Sequence, residues 1–240
     1  MALGLVLVVG GVLAVPPDII LKGTTRLVFF HGAVVWTAII LGLASTILGV
    51  VILLGGTGAR GGGSTGGGDA GAVERSASSD AAHHDAAHGA IAGGRPRALW
   101  RLYSLATLFW VLTLLLSFPV MKASWGGIRW DETRLRMTFE VVSLYLVVWG
   151  VVFVALLDRS ARLFAGVLAA TGVVMFLLVA LTPGNFHPDN PVFSSGDPLY
   201  IGGFLVIFAG LLCLSLGAVF LRRRDAPARF LGEPGVDAGV

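Results

Sequence analysis

The chain has 240 residues, 55% of them hydrophobic and 13% charged, with a formal charge of +3 and a mean hydropathy of +0.85. A charged share about half that of ordinary soluble domains excludes a soluble globular protein, and basic residues confined to the flanks of apolar runs speak against nucleic-acid binding. The only cysteine, Cys213, lies inside an apolar run, so there is neither a disulfide framework nor a C-x-x-C-H heme-attachment signal.

Taken in chain order, the first apolar run covers Met1 to Val15. It is short for a membrane span, and without a basic start or a small-residue cleavage site before Pro16 and Pro17 it does not read as a signal peptide. Longer runs, in the range of about 17 to 25 residues that a helix needs to cross a bilayer, follow near residues 27–54, 100–121, 137–157, 161–182 and 199–221. The expected fold is therefore all-α, a polytopic membrane helix bundle of about six transmembrane helices. Residues 1–54 carry the first two, 98–223 the other four, and 224–240 form a tail.

Residues 55–97 are of another kind. They open with GGTGARGGGSTGGG and continue as a mixture of Ala, Ser, Asp and His. Such a composition buries no core, and it predicts a disordered linker. Gly56, Gly58 and Gly61 match the dinucleotide spacing G-x-G-x-x-G, but no strand precedes them and no helix opens at the last glycine. In the run HHDAAH, from His83 to His88, His84 and His88 lie four apart with Asp85 between and resemble a zinc helix only superficially, and a solvated polar tract is the simpler reading.

Orientation follows from the Lys and Arg of the connecting segments. Arg60, Arg75, Arg95, Arg97, Arg101, Arg159, Arg162, Arg222, Arg223, Arg224 and Arg229 fall on one side; Lys22, Arg26, Lys122, Arg129, Arg134 and Arg136 fall on the other. The side with eleven is expected to be cytoplasmic, together with both termini and the linker. The loop of residues 122–136 then faces outward, as does the loop of residues 183–198.

The outward loop carries the most distinctive run, WGGIRWDETR, from Trp125 to Arg134. Two tryptophans, arginines and an acidic pair at a membrane surface suit a flat, anionic, partly apolar ligand such as a porphyrin with two propionates. Of the five histidines only His31 and His187 belong to the outward side. Two neutral imidazoles from separate segments can supply both axial positions of a heme iron. Trp125 and Trp130 can then stack along the macrocycle edge, while Arg129, Arg134, Lys122 or Arg26 pair with propionates. Trp36, Trp100, Trp110 and Trp149 read as ordinary span residues, and Glu140 as part of a hydrated helix end.

These residues carry a family resemblance. VPPDIILKGTTRLVFFHGAVVW (15–36), WGGIRWDETRL with the following span and LDRSARLFAG, and the His187 loop with Asp197 and Pro198 before the last span together resemble the heme exporter protein C family, within the cytochrome c assembly superfamily marked by a WWD loop. Gly127, Ile128 and Arg129 stand where that loop usually has tryptophans, and Asn185 and Phe186 replace a tryptophan pair. The resemblance implies His31 and His187 as axial ligands of a non-covalent heme b. The shelf would involve Trp125, Gly126, Trp130, Asp131 and Arg134, with Arg129 beside it.

It also implies a carrier and not an enzyme: a protein of a prokaryotic plasma (inner) membrane that delivers heme to a periplasmic heme chaperone for cytochrome c biogenesis, beside ABC transporter subunits and in contact with membrane lipid. Two other readings stay open. A b-type heme, quinol-linked respiratory subunit calls for histidines facing each other at mid-span, and a cofactor-free structural subunit of an ABC transporter complex would use the tryptophans and arginines as interface anchors only.

Overall fold

A computed structural model describes residues 1–16, 24–55, 74–156, 161–184, 191–194 and 196–220; over 74–96 it describes the backbone alone. The described residues are helical: α1 (Ala2–Ala14), α2 (Thr25–Gly55), α3 (Glu74–Trp125), α4 (Thr133–Val151) continued by a π-helical turn at Val152–Leu156, α5 (Ala161–Leu181), the short α6 (Pro191–Ser194) and α7 (Pro198–Phe220). Five stretches are long and apolar enough to cross a membrane: Thr25–Gly55, Arg97–Trp125, Thr133–Val154, Arg162–Leu181 and Pro198–Phe220. They coincide with the five long runs expected from hydropathy. At 13 residues α1 is shorter, about 20 Å at 1.5 Å per residue.

The backbone of residues 74–96 is helical and continuous with the span that follows. Composition alone predicts a disordered linker there. Alanine, the best helix former, is the commonest residue of that stretch. Residues 56–73 of the same linker lie outside the described residues, as do residues 221–240.

Helix α2 is the hub, packed against α3, α5 and α7, while α4 leans on α3 and α1 lies along α7. Lipid tails are as apolar as leucine, so helices in a bilayer associate by close packing more than by hydrophobic burial. The α2–α5 seam shows how. A Cβ on Gly49 would lie 2.9 Å from the Ala165 carbonyl oxygen, and one on Gly172 would overlap Thr46 Oγ1. On the α1–α7 seam a Cβ on Gly210 would lie 2.8 Å from the Gly4 carbonyl oxygen. Large apolar side chains such as Leu43, Ile47, Leu115, Val147 and Phe176 are meanwhile exposed on the bundle's periphery, the distribution that a lipid environment calls for.

Side-chain bonds pin the two ends of the bundle. At one end Arg26, at the start of α2, donates to the carbonyls of Val15 (3.2 Å) and Leu13 (3.3 Å), satisfying the end of α1. Thr133, at the start of α4, donates to the carbonyl of Pro183, just past α5. The α2 and α7 starts meet there through Phe29 and Tyr200, whose rings lie 5.3 Å apart. At the opposite end Arg101 donates to the Val219 carbonyl (2.9 Å), and Trp100 stacks on Trp149 at 5.6 Å. His31, the 122–136 loop and the end of α5 therefore share one end of the bundle.

Candidate functional site

That shared end contains a cleft of about 130 Å³ between α2, α3 and α4. His31 lines it from the second turn of α2. Trp125 closes α3 above it, and Glu132, Arg134, Leu135 and Thr138 contribute from the start of α4. Val35 and Ile39 on α2 and Val120, Met121 and Met137 on α3 and α4 give it apolar walls, and Trp110, Thr113 and Ser117 of α3 also line it. Three residues singled out in the sequence, His31, Trp125 and Arg134, thus come from three helices to one place.

The loop's local chemistry explains why. Gly126 adopts φ +74, the left-handed conformation that ends helices, and its N–H closes on the Lys122 carbonyl at 3.1 Å. α3 therefore stops directly after Trp125, and the chain reverses. Glu132 then caps α4: its backbone is extended and its Oε1 accepts from the Arg134 N–H at 3.2 Å. A carboxylate at a helix N-terminus also meets the positive end of the helix dipole. Capping turns Glu132 inward, leaving it 2% exposed, and delivers Arg134 to the cleft.

The remaining loop residues lie outside the cleft. Arg129 and Asp131 pair with each other at 3.3 Å on the surface, and the Arg129 hydrogen bond holds the Asp131 carboxyl below the usual carboxylate range. Trp130 is 60% exposed and reaches Phe118, with ring centroids 6.1 Å apart; its carbonyl accepts from Arg136 at 3.2 Å. Arg26, one of the possible propionate partners, is engaged with the end of α1. His187 lies outside the described residues, as do residues 185 and 186, but Pro183 and Gly184 are described: a Cβ on Gly184 would sit 2.7 Å from Arg134 Nε. Thr133 and Arg134 thus hold the Pro183–Gly184 corner three residues before His187. Asp197 caps α7, accepting from the Leu199 N–H at 2.8 Å with Pro198 at the first helical position.

Sequence reasoning missed three residues. Glu132, not Asp131, is the acidic group that faces inward. Trp110, read as an ordinary span residue, lines the floor of the cleft with Thr113. Trp110, Thr113 and Ser117 recur at helical spacing in an otherwise apolar span, and that polar stripe was the available signal.

No family model, no curated protein and no solved structure matches this chain. The donor set has to speak for itself. An imidazole, an indole and a guanidinium meet at the mouth of an apolar cleft, a combination that suits the iron, edge and propionates of a heme. The cleft is too small to enclose a macrocycle.

Proposed function

We propose that this chain is a heme-handling protein of a prokaryotic plasma membrane, holding non-covalent heme at the outer face and passing it to a partner in cytochrome c biogenesis. In this reading α1 is the sixth crossing and both termini are cytoplasmic. The observation that carries it is the convergence of His31, Trp125 and Arg134 on one cleft beside the outward loop.

A bound heme supplies an iron that takes imidazole nitrogens and two propionates that take cations. The chain's residues have separate tasks. His31 would offer a ring nitrogen from α2, and His187 a second from the 183–198 loop. Trp125 would lie against the macrocycle, and Arg134, whose backbone N–H is held by the Glu132 cap, would supply a cation for a propionate. A loop-borne ligand suits transfer, since an incoming chaperone can replace it without disturbing the bundle. The partners are a periplasmic heme chaperone and ABC transporter subunits, with lipid around the spans.

The test is direct. Protein purified after expression with ample heme is expected to show a Soret band that is lost in His31→Ala and in His187→Ala. Undiminished heme content in both variants rejects the proposal, whereas a colourless wild-type protein in a stable complex with transporter subunits favours a structural role.

A further inference from the structure

Below the mouth, the cleft has a property that heme handling does not use. Trp110 is 1% exposed and Thr113 2% exposed, and neither Trp110 Nε1 nor Thr113 Oγ1 has a hydrogen-bond partner among the described residues. Both residues line the cleft. They lie fifteen and twelve residues before Trp125 on one continuous helix, so at about 1.5 Å per residue Trp110 sits about 22 Å along the helix from the surface end of α3. A hydrocarbon core is about 30 Å thick. Polar atoms at that depth cannot turn to bulk water, and lipid tails offer them nothing.

We infer that the floor of this cleft is a water-binding site, where a small cluster accepts the Trp110 indole hydrogen and pairs with the Thr113 hydroxyl deep in the membrane. Space and partners both permit it. The cleft measures about 130 Å³, well above the roughly 10–15 Å³ that one water needs on the same measure, so it has room for more than one. Cavities that stay dry are lined by apolar groups alone, whereas water is held where two to four polar partners converge.

Ser117 and Thr138 supply the rest. Each donates its hydroxyl hydrogen to a carbonyl of its own helix, Thr113 at 2.8 Å and Arg134 at 2.7 Å, which leaves oxygen lone pairs on the cleft's lining. The result is a polar strip down α3 opposite apolar walls, in a cleft that Glu132 and Arg134 also line. The inference rests on Trp110 and Thr113 and does not depend on heme.

The chain's own methionines report on this. Met121 and Met137 are 4% and 9% exposed and line the cleft, whereas Met175 is 1% exposed and packs elsewhere, against Gly42. Burial alone predicts that all three are protected. In hydroxyl-radical footprinting of the full-length, heme-free protein in lipid nanodiscs, Met121 and Met137 are expected to form sulfoxide about tenfold faster than Met175, because they line the hydrated cleft with Trp110 and Thr113 and Met175 does not. Thr113→Val, of the same shape without the hydroxyl, is expected to lower both rates several-fold, and Thr113→Ser to keep them.

Met175 in the same sample tells whether the bundle has stayed folded. The inference is overturned if Met121 and Met137 are as slow as Met175 in the wild type, or if Thr113→Val leaves their rates unchanged with Met175 still protected. Since no heme is present, neither result bears on whether the histidines bind it.

Discussion

Gly172→Ala tests the packing that sets His31 relative to the end of α5. The added methyl would land on Thr46 Oγ1, 3.0 Å from Thr46 Cβ and 3.4 Å from the Gly42 carbonyl oxygen. Thr46 cannot yield freely, because its hydroxyl donates to that same carbonyl at 2.9 Å and the residue is 9% exposed. Overpacking of this kind costs about 1–3 kcal/mol, and the displaced hydrogen bond about 1 kcal/mol more. Replacing a mid-helix glycine returns up to about 1 kcal/mol. The net loss is therefore about 1–3 kcal/mol.

The assay is reversible unfolding in mixed micelles, with Gly202→Ala as the control. Gly202 is also helical but has nothing within 4 Å of its would-be Cβ, so that variant is expected to be neutral or slightly more stable. Adding Thr46→Ala to Gly172→Ala removes the obstructing oxygen and is expected to recover most of the loss. If Gly172→Ala is as stable as Gly202→Ala, or if Thr46→Ala gives no rescue, the reasoning about this seam is wrong.

Removing the α4 cap with Glu132→Ala is expected to cost about 0.5–2 kcal/mol, read as a lowered thermal transition, whereas Asp131→Ala on the exposed side barely moves it. Because the folded-state pKa of Asp131 is depressed, its contribution is present above the unfolded carboxyl pKa and lost as pH falls through the folded one. Asp131→Asn is thus expected to flatten the acid side of the stability profile slightly, and an unchanged profile counts against the Arg129–Asp131 pair. Gly184→Val would drive a side chain into the Arg134 guanidinium. On the proposed function it lowers heme retention several-fold with little change in unfolding, as does Arg134→Ala, and full retention in both removes Arg134 from the site.

Much of the fold was legible because a bilayer imposes a length on every crossing. The five long helices follow from hydropathy, and basic residues put His31, the tryptophan loop and the end of α5 on one side, where the structure also brings them together. The two faces of each helix were not legible. A membrane helix is apolar toward lipid and toward its neighbours alike, so periodicity cannot say which side is the core. Trp110 therefore looks like Trp36 in the sequence, yet one lines a cleft and the other is 45% exposed.

Adjacent loop residues posed the same difficulty at smaller scale. Asp131 and Glu132 are both acidic, and only the geometry of the α4 N-terminus decided that the second turns inward while the first pairs with Arg129 at the surface. Arg26, free in sequence to meet an anion, is taken by the carbonyls that α1 leaves open. Composition and run length determined that the chain is a membrane helix bundle and which loops share a side. Which side chains meet was decided by close packing of glycines against backbone and by the satisfaction of helix ends, interactions between residues far apart in the chain that no local pattern encodes.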